Sequence, residues 1–131
     1  MRRDFQLPED DIKFLDTLGL RWESVMDGSQ LWLLVHDWPI PSQYNVNSST
    51  LALLIPPVYP ETGLDMVYFN PALQLKNGRS INALTNFKVI DKTFQRWSRH
   101  YTSNNPWRIG EDDLSTHLIL IDKWLKKEVT K

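Results

Sequence analysis

The tightest constraint on this chain is a hairpin. Trp22 to Met26 and Leu31 to Val35 are strand-length runs separated by Asp27-Gly28, a pair that supplies the positive φ angles of a tight antiparallel turn. The second run, Leu31-Trp32-Leu33-Leu34-Val35, is apolar at every position. It has no water-facing side, so it predicts a central strand covered on both faces. A chain with that strand near its start must build an antiparallel sheet and then cover it.

The rest of the sequence supplies the sheet and its cover. Leu51 to Ile55 predicts a third strand, stopped by Pro56-Pro57, and Met66 to Phe69 a shorter fourth. Phe87 to Ile90 has the length of one more brief strand. Asp37 to Ser49, with two prolines, reads as a loop, and Asn70 to Asn86 as an irregular stretch. Pro8-Glu9-Asp10-Asp11 opens a helix whose apolar face is Ile12, Leu15 and Leu18, with acids at the positive end of its dipole and Gly19 as its stop. Gly110-Glu111-Asp112-Asp113 offers an acidic cap to a second helix with Leu114, Leu118, Ile121 and Leu125 on one face. The expected architecture is α+β: an antiparallel sheet of about four strands with an N-terminal and a C-terminal helix packed on it. Residues 1–131 make one domain, with no linker and no repeat.

Composition removes whole classes of function. The chain has no cysteine, so disulfides, thiolate metal sites and thiol nucleophiles are all excluded. A net charge of −1 argues against a nucleic-acid partner, although Arg96, Trp97, Arg99, Tyr101, Trp107 and Arg108 together resemble a stacking and phosphate patch. The start, Met1-Arg2-Arg3-Asp4-Phe5, lacks the apolar run of an export signal, and no apolar run reaches membrane-spanning length. A cytoplasmic protein without membrane attachment is the expectation. His36, His100 and His117 have no ligand-like spacing, and no glycine-rich phosphate loop is present, so no metal and no cofactor is implied. The acid pairs Asp10-Asp11 and Asp112-Asp113 stand at helix starts, where capping accounts for them better than acid–base catalysis.

The unusual segment is Gln95-Arg96-Trp97-Ser98-Arg99-His100-Tyr101. On an extended backbone Ser98 and His100 would share one side, roughly 7 Å apart, and a bend would bring them closer. A serine hydroxyl needs a base such as imidazole to act as nucleophile, and Arg96 and Arg99 would place positive charge near a developing oxyanion. The plainer readings are a basic, aromatic binding loop or simple packing. The residues alone leave all three open.

Motif order adds a resemblance. Ile55-Pro56-Pro57-Val58-Tyr59-Pro60 resembles the strand end and Tyr-Pro turn of ubiquitin-conjugating enzymes, after a helix and three antiparallel strands in the same order. Phe69-Asn70-Pro71 falls near the position of that family's His-Pro-Asn tripeptide, and Trp107 resembles the tryptophan that introduces its post-catalytic helix. Trp97-Ser98-Arg99-His100 with Asp112-Asp113-Leu114 is similar to the bacterial group known as prokaryotic ubiquitin-conjugating enzyme-like family E. The resemblance implies the ubiquitin-conjugating fold. It also implies a pathway with a ubiquitin-like or multi-ubiquitin-like protein, a ThiF-type activating enzyme and a JAB-type metalloprotease.

The departures define the question. Where classical members carry the catalytic cysteine, this chain offers Ser98 to His100, so thioester transfer on it is impossible. Asn70 and Asn86 are the candidates for the oxyanion asparagine. The resemblance therefore implies either a transferase with Ser98 as nucleophile, His100 as base and Arg99 beside them, or a non-catalytic scaffold that binds the ubiquitin-like protein or the activating enzyme. In both readings Tyr59, Pro60, Asn70, Arg96, Trp97 and Trp107 are the expected binding residues.

Overall fold

A computed structural model of the protein describes every residue from Met1 to Lys131. The hairpin forms from β1 (Trp22–Asp27) and β2 (Gln30–Pro39), with Asp27 still paired to Gln30. Gly28, the first residue of the two-residue loop, takes the left-handed φ of 61° that a side chain would resist. Beyond β2 the sheet continues through β3 (Ser48–Ile55) and β4 (Val67–Asn70).

The sheet has six strands rather than about four. β5 (Leu84–Val89) and β6 (Lys92–Trp97) form a second hairpin, and β6 docks beside β4, giving the order β1-β2-β3-β4-β6-β5, antiparallel throughout. β6 escapes a reading by periodicity because its two buried residues, Phe94 and Trp97, are three apart and lie on opposite faces. Neither period two nor a continuous apolar run is visible in it.

Both helices cover one face of the sheet. α1 (Glu9–Thr17) buries Leu15 and packs Ile12 and Leu18 at its margin. α2 (Leu114–Thr130) buries Leu114, Leu118, Ile121 and Leu125 as one stripe. Its N-cap is Asp113, which accepts the Thr116 N–H at 3.2 Å, while Thr116 accepts the Asp113 N–H at 3.0 Å. The main core lies here, between the helices and Leu33, Val35, Leu51, Leu53, Val67, Phe69 and Trp97.

The outer face holds a smaller cluster around Trp32, Tyr68 and Phe94. β2 is apolar on both sides because it serves both clusters. No helix is long and apolar enough to cross a membrane.

Candidate functional site

At the end of β6 the chain turns sharply. The Arg99 N–H donates to the Trp97 carbonyl at 3.0 Å, closing a three-residue γ-turn centred on Ser98. Two neighbouring loops clasp this turn: the Ser98 N–H donates to the Ala83 carbonyl, and the Met66 N–H to the Arg99 carbonyl, each at 3.0 Å. Ala83 and Met66 both carry left-handed backbone, with φ of 59° and 57°. That conformation costs a non-glycine residue roughly 1–2 kcal/mol, and residues held in it concentrate at functional sites.

The turn brings Ser98, Arg99 and His100 to the wall of one cavity of about 360 Å³, shared with Asn82, Trp124 and Lys127. The ring of His100 is oriented by Asp65, whose two carboxylate oxygens accept its Nδ1–H at 2.8 and 3.0 Å. With Nδ1 as the donor to Asp65, Nε2 is the nitrogen left to act as a base. The hydrogen bond of the imidazole goes to Asp65, not to Ser98. Nothing in the sequence marks Asp65, because it stands 35 positions from His100.

Arg99 is already committed. Its Nη2 donates to Glu128 at 3.1 Å and its Nη1 to the Ser98 carbonyl at 3.3 Å, and its guanidinium stands 5.0 Å from the Trp97 ring. Glu128 is only 2% exposed and also pairs with Arg79 and Lys131. Burial alone would raise its carboxyl, but the hydrogen bonds and charges of Lys131 and Arg99 outweigh that and hold it below the usual carboxylate range. The Arg99 guanidinium is therefore held on Glu128, in a cluster of three cations around one carboxylate that keeps net positive charge.

Several expected neighbours of Ser98 lie elsewhere. Arg96 stands on the outer face, its guanidinium 5.0 Å from the Phe87 ring and its Nε–H on Thr85 Oγ1 at 3.1 Å. Trp97 has no exposed surface; it packs against Phe69 and Tyr44 and donates its Nε1–H to Gln95. It supports the turn from within the core and presents nothing to a partner. Asn70 pairs with Thr50, three residues along β4 from Val67, the partner of Trp97. Ser98 lies one residue beyond Trp97, which sets Asn70 four residues, roughly 13 Å, from its level. Asn86 lies on β5 opposite Gln95, and the asparagine that lines the cavity is Asn82.

Tyr59, Pro60 and Trp107 lie outside the lining of the Ser98 cavity. The Trp107 Nε1–H donates to the Pro60 carbonyl at 2.9 Å, and the Trp107 ring lies 6.1 Å from Tyr59 and edge-on to Tyr101 at 5.4 Å. Tyr101 stacks on His117 and donates its hydroxyl to Nδ1 at 2.8 Å, while His117 Nε2–H donates to the Met66 carbonyl at 3.0 Å. Trp124 meets His117 edge-on at 5.6 Å and reaches the Ser98 cavity. Burial raises the Tyr101 hydroxyl and pushes His117 down to about 4, so this pair stays neutral near neutral pH. The Tyr-Pro turn is thus joined to the Ser98 turn by an unbroken row of rings.

The family model for prokaryotic E2 family E matches residues 7–128, which takes in both helices' apolar stripes, the whole sheet and the Ser98 turn. The chain belongs to that family. No curated protein and no solved structure matches it. As a family E protein it is a ubiquitin-conjugating-enzyme-like component of a ubiquitin-like conjugation pathway. Its two helices and antiparallel sheet have the ubiquitin-conjugating architecture, and with no cysteine this family E chain holds no sulfur for a thioester.

Proposed function

We propose that this family E protein carries the C-terminus of a ubiquitin-like protein as an oxyester on Ser98. The observation that supports this is the Asp65–His100 pair at the wall of the cavity that Ser98 also lines. A ThiF-type activating enzyme would present the C-terminal glycyl group as a thioester. Ser98 Oγ attacks the carbonyl carbon, the O–C bond forms, the C–S bond breaks, and the hydroxyl proton passes through His100 Nε2 to the departing thiolate. In the second step an acceptor amine attacks the ester carbon, the C–N bond forms and the C–O bond breaks, and the amine proton passes through His100 Nε2 to the departing Ser98 Oγ. Asn82 and Lys127 are the cavity groups able to face the oxyanion, since Arg99 is held by Glu128. The ubiquitin-like or multi-ubiquitin-like protein is the cargo, and a JAB-type metalloprotease acts in the same pathway.

One observation favours a second reading, a non-catalytic scaffold for the ubiquitin-like protein or the activating enzyme. His100 bonds to Asp65 rather than to Ser98, and the Arg99 guanidinium is held on Glu128. Reconstitution with the activating enzyme, the ubiquitin-like protein and ATP separates the two. The transferase reading expects an adduct that resists thiols, is cleaved by hydroxylamine, is absent in Ser98→Ala and forms roughly 100-fold more slowly in His100→Ala. Binding of the ubiquitin-like protein with no adduct at all would establish the scaffold.

A further inference from the structure

A polar row crosses the outer, largely apolar face of the sheet. Glu23 of β1, His36 of β2, Thr50 of β3 and Asn70 of β4 stand side by side, one from each of four adjacent strands. Alternation along β2 places His36 there, on the same side as Trp32 and Leu34. The β2–β3 register shifts between Val35 and Trp38, with Asp37 at a left-handed φ of 56°. This irregularity follows His36 and turns Trp38 to the inner core.

The resulting contacts have a direction. His36 Nε2 lies 2.7 Å from Glu23 Oε2 and Nδ1 lies 3.5 Å from Thr50 Oγ1, so in the tautomer that donates to Glu23 the Nδ1 lone pair faces the hydroxyl. Glu23 is held from behind by the Arg2 N–H at 3.2 Å. Thr50 and Asn70 are directly opposite in register. All four residues line one cavity of about 310 Å³, with Val25, Leu34 and Phe94 in its apolar part and Arg2, Lys92 and Asp91 as its other charged residues.

We propose that this cavity is a second nucleophilic site, distinct from the Ser98 turn, in which Thr50 attacks small acyl esters or thioesters, His36 is the base and Glu23 orients the imidazole. A carboxylate fixing the tautomer, an imidazole lone pair aimed at a hydroxyl and a shaped apolar recess are the parts that such chemistry requires. The Thr50–His36 distance is that of a relay not yet tightened by substrate, as catalytic hydrogen bonds often are in empty sites. Thr50 Oγ bonds to the acyl carbon, the alkoxide or thiolate leaves, and the hydroxyl proton goes to His36 Nδ1 and on to the leaving group. Water then repeats the sequence to release the acid and restore Thr50. Lys92 supplies the positive charge that favours the oxyanion. The apolar part and the volume select a short alkyl acyl chain.

An alkyl fluorophosphonate tests this without turnover. Thr50 Oγ would form an O–P bond, fluoride would leave, and the proton would remain on His36. Peptide mass mapping should place the label on Thr50, with labelling at least ten-fold slower in His36→Gln and several-fold slower in Glu23→Gln. Thr50→Val, which keeps the shape, should remove the label, and Thr50→Ser should retain it. No label on the intact protein, a label mapped to Ser98 or another residue, or unchanged labelling in His36→Gln would each overturn the proposal.

Discussion

At the residue scale, two buried groups carry measurable consequences. His117 is wholly buried and neutral, held from both ring nitrogens, with its pKa pushed down to about 4 by burial from an ordinary 6.5. The unfolded chain therefore takes up a proton at a pH where the folded chain does not. Stability is full above pH 6.5 and falls as the pH drops toward 4, by on the order of 3 kcal/mol from this residue. Urea unfolding between those limits should show a shallower pH slope in His117→Gln than in the natural protein. Gly63 is the second case. A Cβ there would lie 2.5 Å from Trp107 Cγ, and the ring is held by Pro60, Tyr59 and Tyr101. Gly63→Ala should lower stability by about 1–3 kcal/mol and shift the tryptophan emission, since the ring must leave its seat.

At the scale of elements, α2 and the β5–β6 hairpin position the site. α2 presents Trp124, Lys127 and Glu128 to the Ser98 cavity, and its first turn is secured by Asp113. Asp113→Ala removes the side-chain half of that cap and should cost about 1 kcal/mol, read as a lowered midpoint in denaturant with an unchanged slope. The hairpin carries Trp97 into the core and so fixes where the chain can turn next. Its neighbour Ala83 anchors the Ser98 amide, which ties the length of the preceding loop to the place of the hydroxyl.

At the scale of the whole molecule, the two hydrophobic clusters are the two faces of one sheet, and β2 belongs to both. Neither face can lose its packing while the strands keep their register. Unfolding followed by near-ultraviolet and far-ultraviolet circular dichroism should give coincident, single transitions. A separated outer-face transition would show that the clusters are independent. The same sharing places the Ser98 cavity and the polar row of Glu23, His36, Thr50 and Asn70 in different parts of the molecule.

The sequence by itself determined the elements whose signals are local. The hairpin at Gly28, the covered strand around Trp32, and the helix of Leu114, Leu118, Ile121 and Leu125 each declare themselves through turn chemistry or periodicity over a few residues. Motif order was enough to indicate the family that the match over residues 7–128 shows. The partners of Ser98 were decided only in three dimensions. Asp65 and Asn82 come from distant loops, Glu128 draws Arg99 away, and antiparallel pairing carries Asn70 to the far end of β4 and Arg96 to the other face. A side chain's neighbours across a sheet depend on strand order and register, and those are settled by burying the core as a whole, not by the residues on either side in the chain.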